Sequence, residues 1–310
     1  MPRRTEEEQA DFQRALEAIG DEAPLSQAEL DALSVLEGPD LRSYADVWRR
    51  LPAPARARLI RALHSAAEQR LRLDFSGINR VALDDEDEKV RLAAVECALE
   101  DRSPALLSRL VDLVRSDPSR QVRRAAAEDL ARFTLLGELD ELDPELTRRV
   151  RDRLLEVVRA QDEDPSIRTS ALAALGYFSD EAMMHELAEA FTNPELRLGA
   201  VRGMGRSADP RWTDRLMPVL GSEDPQQREE AARALGEIED ERAVSPLVEL
   251  VDDPVREVRL AAIGALGEIG GEEAREALLY VLEDPDDTVR EAAERAVSEL
   301  EERENDPLEL

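Results

Sequence analysis

DPVREVRLAAIGALGEIGGEEAREALLYVLEDP, residues 253–285, decides the fold of this chain. Its opening returns at Asp284 as DPDDTVREAAERAVSEL. Aligned on the apolar residue that precedes an arginine, the copies are anchored at Val90, Val122, Ile167, Leu196, Gln227, Val258 and Val289. The spacings are 32, 45, 29, 31, 31 and 31 residues, and Gln227 is the one polar anchor. An arginine follows every anchor: Arg91, Arg123, Arg168, Arg197, Arg228, Arg259 and Arg290. Self-similarity at a fixed period of this length marks a repeat architecture.

Each copy predicts two helices. In the fifth, Ala231, Ala234, Leu235 and Ile238 recur with the spacing of one helical face. Gly236 and Gly267 are expected to end their helices in a left-handed conformation. Asp240 is expected to cap a second helix whose apolar face is Ala243, Leu247, Leu250 and Val251, with Asp253–Pro254 as the stop. Neither helix can bury its face alone, so copy must stack on copy. The reading is an all-α fold: a right-handed α-solenoid of stacked antiparallel helix pairs. The many small residues of the V-R helices suit close approach between neighbours.

The pattern D-P-x-x-x-V-R-x-x-A-x-x-A-L-G, followed by D-x-x-A-V-x-x-L, resembles HEAT repeats. It is most similar to the short bacterial subtype named after phycobilisome lyases. The resemblance covers residues 84–300, about seven V-R helices. It implies that the V-R helix lines a concave face, that the other helix is convex, and that the recurring arginine and a turn aspartate form a ladder between repeats. Asp85, Asp117, Asp253 and Asp284 stand five residues before their anchors, as such a ladder needs; Asp164, Asn193 and Asp224 stand only three before theirs.

Residues 1–83 fall outside the period yet also read as helical. Phe12, Leu16 and Ile19 share a face. Ser26 and Glu29 make a capping box before Leu30, Leu33 and Leu36. Another helical stretch runs from Tyr44 to Leu51, and Leu59, Ile60, Leu63 and Ala66 form a further face. The segment is expected to be an atypical helical N-terminal cap that closes the stack. The long spacing places extra residues after Phe133, expected as a loop over 134–150. Residues 301–310 read as a frayed acidic tail.

Composition sets the limits on function. Seventy-one acids oppose 41 bases, a formal charge of −30, and aromatics are 3% of the chain. Such a charge disfavours nucleic acid and anionic membranes as partners. Few aromatics argue against an all-β core. No stretch of 18 apolar residues offers a membrane span. Cys97 is the only cysteine and Lys89 the only lysine. With no second cysteine and no apolar leader, the expectation is a cytoplasmic, reducing location.

Catalytic chemistry has little to stand on. There are two histidines, His64 and His185. His185–Glu186 resembles one of the His-Glu pairs of HEAT-type iron hydroxylases such as deoxyhypusine hydroxylase, but those enzymes carry several. No phosphate loop, Cys pair or H-E-x-x-H motif occurs. Cys97 takes the slot of Ala174, Ala234 and Ala265, a small buried position. No catalytic, cofactor or metal site is expected.

If the V-R helices line a groove, positions +2, +6 and +10 from each anchor face it, by i, i+4 spacing. At +10 these are Glu100, Arg132, Tyr177, Arg206, Glu237, Glu268 and Glu299; Thr169 and Ala173 fall at +2 and +6 of the third copy. The candidate partner-binding residues are Arg124, Arg132, Tyr177, Leu198, Arg202, Arg206 and Arg233, the one basic and aromatic cluster that can be placed in an acidic chain. Arginine and tyrosine are frequent interface anchors. The competing reading is that these arginines pair with neighbours such as Glu128 and Glu229. Trp212 aligns with Ala243 and is expected to pack inside. The function expected is a monomeric, non-enzymatic scaffold that binds a protein partner with an acidic segment. The alternatives are a bilin-lyase-like pigment transfer factor and a nucleic-acid-binding HEAT protein.

Overall fold

The structure is a computed structural model that describes residues 4–21, 23–70, 72–98 and 101–305. Among these residues the regular structure is entirely helical. The chain divides into two compact units, residues 1–133 and 134–310.

The first unit contains α1 (Glu6–Ala18), α2 (Gln27–Leu33), α3 (Gly38–Trp48), α4 (Ala53–Gln69), α5 (Ser76–Leu83), α6 (Glu88–Glu96), α7 (Pro104–Ser116) and most of α8 (Arg120–Glu138). The helices α1, α2, α6 and α7 start where a short polar side chain, Thr5, Ser26, Asp87 or Ser103, accepts from an orphan amide. Thr5 with Glu8, and Ser26 with Glu29, both form complete capping boxes. Phe12, Leu16, Ile19, Leu33, Leu36, Leu59, Ile60 and Leu63 are buried, so the apolar spacings of this segment are the core faces of its helices. Residues on both sides of position 83 share this core. Asp85 accepts from Trp48 Nε1 at 2.8 Å and from Arg56 Nη2 at 2.9 Å, and all three side chains are buried. An ion pair this dry costs desolvation, and its carboxylate is compensated by three donors, the third being the Asp87 amide at 2.9 Å.

The second unit contains α9 (Pro144–Arg159), α10 (Pro165–Leu175), α11 (Glu181–Thr192), α12 (Arg197–Arg206), α13 (Thr213–Leu216), α14 (Pro225–Ile238), α15 (Val244–Val248), α16 (Arg256–Ile269), α17 (Glu272–Val281) and α18 (Asp287–Asn305). The V-R helices α10, α12, α14, α16 and α18 pack one on the next in chain order. Ala243, Leu247, Leu250 and Val251 are buried, as the second helix of that copy requires. That helix is nevertheless broken into a 3-10 turn (Glu241–Ala243), α15 and a second 3-10 stretch (Glu249–Asp252). Pro246, inside α15, supplies no amide for continuous α-helical bonding.

Two expectations are corrected here. The extra residues after Phe133 are not a loop: α8 runs on to Glu138, and α9 begins at Pro144 with Asp143 as its cap. Only five residues, 139–143, connect the helices. Gly236 and Gly267 do not end their helices. Both lie inside α14 and α16 with ordinary φ, and the left-handed residues are Glu239 (φ 55°) and Gly270 (φ 75°). The glycines answer a packing demand. A Cβ on Gly236 would stand 2.8 Å from Ala265 Cα, and one on Gly205 2.6 Å from Ala234 Cα. Each glycine, nine residues after its anchor, meets the alanine seven after the next. The tail residues 306–310 lie outside the described residues.

Candidate protein-interaction face

The arginine after each anchor is structural. Arg91 grips Asp117 with two bonds, 2.7 Å from Nε and 2.9 Å from Nη2. Arg228 grips Asp253 in the same way, at 2.7 and 2.9 Å. Arg259 stands 3.8 Å from Asp284. Each aspartate belongs to the following repeat, which is the ladder that the resemblance implies. A second regularity was hidden from the sequence because it uses the backbone. The guanidinium also donates to the carbonyl five residues before its own anchor: Arg91 to Asp85, Arg123 to Asp117, Arg197 to Phe191, Arg228 to Ser222, Arg259 to Asp253 and Arg290 to Asp284. Any residue supplies a carbonyl, so this bond survives where the aspartate is missing. Asp164, Asn193 and Asp224 instead accept from the amide two residues on, opening the next helix.

With those arginines committed, the face of the V-R helices is left to positions +2, +6 and +10. In the second unit Arg233, Glu237, Gly264, Glu268, Glu291, Arg295 and Glu299 are exposed, and Tyr177, Leu198, Arg202 and Arg206 are half-buried. Thr169 and Ala173 are buried, against expectation. The cause is the glycine content of α12: a Cβ on Gly199 would lie 2.5 Å from Thr169 O, so α12 rides down onto α10 and covers its face. Thr169 Oγ1 donates to Glu195 O at 3.2 Å. Glu100 lies outside the described residues.

The seven candidate residues do not all behave alike. Arg206 lies over the ring of Tyr177, 5.4 Å from its centroid. Leu198 and Arg202 are on the same helix as Arg206, and Arg202 Nη2 donates to Glu230. Arg233 donates to Glu229 at 2.7 Å, and Arg124 stands 3.5 Å from Glu128; both are the local pairs of the competing reading. Such exposed i, i+4 pairs are worth little. Arg124 and Arg132 belong to the first unit, the other five to the second. Arg132 is pinned: it donates to Asp101 O at 2.6 Å, Ala98 O at 3.0 Å and Asp129 Oδ1 at 2.7 Å, and lies 4.4 Å from the Phe133 ring centroid. It fastens α8 to the end of the preceding repeat, which sequence spacing had no means to reveal.

Two acidic members of the face, Glu237 and Glu268, are exposed as residues but bend their carboxyls back over the preceding repeat. The Glu237 carboxyl lies over Gly205 and that of Glu268 over Gly236. Burial there pushes the Glu237 pKa up, with Glu268 and Glu230 adding to it and Arg206 and Arg233 opposing. Glu268 is raised for the same first reason, then by Glu239 and Glu299.

The family model for HEAT repeats matches residues 79–161, 184–263 and 213–298, more than half of the sequence. The chain belongs to the HEAT-repeat family. No curated protein sequence matches it significantly. Among solved structures it is similar to Kap95p, described in its complex with RanGDP, at 16% identity and a TM-score of 0.51, over 96% of this chain and 46% of that one. It is also similar to human deoxyhypusine hydroxylase, at 18% identity and a TM-score of 0.38, over 95% and 97% of the two chains. A designed armadillo repeat protein matches at 19% identity and a TM-score of 0.38, over 63% of this chain and 99% of that one.

Within this HEAT protein the remaining singled-out residues are ordinary. His185 is exposed on α11, and its neighbour Glu186 accepts from Arg159 at 2.8 Å. Among the described residues no group of three or more His, Cys, Asp or Glu is placed to hold a metal ion, and no helix is long and apolar enough to cross a membrane. Trp212 is buried and donates to Ser207 Oγ at 3.1 Å. Cys97 is the exception to its alignment. It is half-buried, because α6 ends at Glu96 and leaves it at the helix terminus. Burial still pushes its thiol up to about 11.

Proposed function

We propose that this HEAT protein is a non-enzymatic scaffold that holds a protein partner against the V-R face of its second unit. The single observation that carries the reading is the Tyr177–Arg206 stack beside Leu198 and Arg202. It combines an aromatic from the turn that follows α10 with an apolar and two guanidinium side chains on the next V-R helix, α12, all half-buried. Half-buried aromatics and arginines lose little side-chain freedom on binding and supply most of the affinity at interfaces. Arg206 has no carboxylate within ion-pair distance among the described residues, while its planar fork suits two bonds to a carboxylate. The partner is therefore a segment rich in Asp or Glu, and screening confines the repulsion of the −30 charge to roughly 8–10 Å at physiological salt. Arg233 extends the surface at its edge. Arg124 and Arg132 belong to the other unit and are left as a secondary patch.

The short 31-residue period supports the phycobilisome-lyase-like subtype for the repeats, and a monomeric, cytoplasmic protein is the accompanying reading. Kap95p, similar in fold, binds a protein; that likeness extends to the fold alone. The test is affinity capture from native lysate with mass spectrometry, run on the parent and on the Arg202→Glu, Arg206→Glu variant. The scaffold reading expects a protein retained by the parent and lost from the variant at unchanged melting temperature. Retention of the same proteins by both, or capture of pigment or nucleic acid alone, would overturn it.

A further inference from the structure

We propose that the last repeat, α17 with α18, binds an amphipathic helix of a partner protein, laid where a further repeat would stack, with lysines or arginines flanking its apolar face. None of the residues involved belongs to the Tyr177–Arg206 face, so the inference stands apart from the scaffold reading. The opening shows at positions that earlier copies cover. Five residues after the anchor stand Leu172, Val201, Ala232 and Ile263, all buried. In the last copy that position is Glu294, and it is exposed. Val297 is half-buried where Leu235 and Leu266 are buried, and Leu282 is half-buried where Leu220 and Val251 are buried. Leu279 is 46% exposed, while Val248 and Met217, one and two repeats earlier, are half-buried. Tyr280 beside it is 66% exposed. These positions therefore face a following repeat, and among the described residues none covers them. A terminal repeat ordinarily turns a polar side outward. Here only Glu294 does so, and the apolar side chains that remain are those of an interaction patch.

The surface suits a helix, because α15 packs on α17 and α16 on α18 through the same positions one repeat earlier. Its charge chooses the partner. Residues 272–301 hold eleven acids and three arginines. All three arginines are engaged: Arg275 with Glu301, Arg290 with Asp287 and the Asp284 carbonyl, and Arg295 with the Glu291 carbonyl. Glu276 and Glu283 stand one turn to either side of Leu279 and Tyr280 on the chain, and Glu294 one turn before Val297. All three are exposed and have no cation within ion-pair distance among the described residues. A partner that places lysine or arginine beside its apolar anchors meets these carboxylates. A second copy of this end would set acid against acid. Residues 306–310, which follow α18, carry two acids and no base, so they lack the matching charge.

The test uses the full chain and a fluorescein-labelled peptide of about 18 residues, with leucines at i, i+3, i+4 and i+7 and lysines elsewhere. One control peptide has the same composition with its leucines scattered around the helix; another has glutamate in place of lysine. Anisotropy titrations in about 0.15 M sodium chloride are expected to show saturable binding of the probe, weaker binding of the scattered peptide and none of the acidic one. Leu279→Ser with Tyr280→Ser is expected to weaken binding at least about tenfold. Glu276→Gln, Glu283→Gln and Glu294→Gln together are expected to weaken it several-fold. Glu7→Gln with Glu17→Gln, exposed acids of α1, is expected to leave it unchanged. Every substituted side chain is exposed, and circular dichroism with melting temperature checks that each variant is folded. The proposal is overturned by no saturable binding, by equal binding of the scattered peptide, by a serine variant that binds like the parent, or by equal losses in the two glutamine variants. Sedimentation is expected to show no dimer held by this face; a dimer that the serine changes dissolve would give the face to a second copy. Truncation after Asn305 is expected to leave binding unchanged, and a large gain would give the face to the chain's own tail. Either result also overturns the proposal.

Discussion

Val35 is a β-branched residue in the left-handed region, at φ 55°, with its side chain 51% exposed. It joins α2 to α3, and its amide donates to Asp74 O at 2.7 Å while Ser34 Oγ accepts from the Asp74 amide at 2.9 Å. Those bonds hold a conformation that costs a non-glycine residue about 1–2 kcal/mol. Val35→Gly removes the strain and no buried contact, at some cost in unfolded-state entropy. A gain of up to about 1 kcal/mol in urea denaturation is the expected result; a loss would mean that the valine is packed after all. Glu268 offers a pH-dependent counterpart. Its folded pKa is raised, so the folded state binds its proton more tightly than the unfolded chain. Stability from this group is fully present below the ordinary glutamate pKa, about 4.3, and declines as pH rises through the folded value. Glu268→Gln should therefore stabilise the protein at neutral pH, with the gain vanishing in mild acid. A gain that is the same at both pH values would contradict this. Asp253 has the opposite sign. Burial works to raise it, but the Arg228 pair and the Val255 amide outweigh burial and lower it, so its contribution is lost as pH falls through the folded value.

At the scale of the helix, the glycines separate two physical roles. Gly236 and Gly205 sit against the next helix with no room for a methyl group, while Gly264, exposed in the middle of α16, has nothing within 4 Å of the place its Cβ would take. Gly236→Ala is expected to cost about 1–3 kcal/mol by overpacking. Gly264→Ala is expected to gain about 1 kcal/mol from helix propensity. Chemical denaturation of the two variants decides it, and equal shifts would show that the packing account is wrong. Period and apolar spacing, written in the residues themselves, predict buried anchors and buried positions +4, +7, +8 and +11; position +4 is buried in every copy, while Gln227 among the anchors, Cys97 and Asp129 at +7, and Asp101, Ser207 and Ile269 at +11 are only half-buried. The reason for the glycine at +9 was not legible in the sequence, since spacing does not give the distance between neighbouring axes. The segment after Phe133 was misread for a related reason: Leu135 and Leu136 continue a helix that the repeat alignment had already ended.

For the molecule as a whole, 71 acids against 41 bases leave strong self-repulsion that surface pairs such as Arg233–Glu229 only partly offset. Raising salt screens both, but the excess of like charge is the larger sum. The melting temperature should therefore rise between low salt and about 0.5 M sodium chloride; a fall would show that the arginine pairs dominate. The candidate face was only half legible at this scale. Aligning the copies located Tyr177, Leu198, Arg202 and Arg206, but it could not say that Arg132 is consumed by the carbonyls of Ala98 and Asp101, nor that Thr169 and Ala173 are covered. Those facts depend on which groups meet across helices. The binding of a partner along the V-R face is tested most directly by amide hydrogen exchange of the protein alone and with a captured partner. The account predicts new protection in α10, α12 and α14, strongest around Tyr177 and Arg206. Protection confined to α11, α13 and α15, with the V-R helices unchanged, would contradict it.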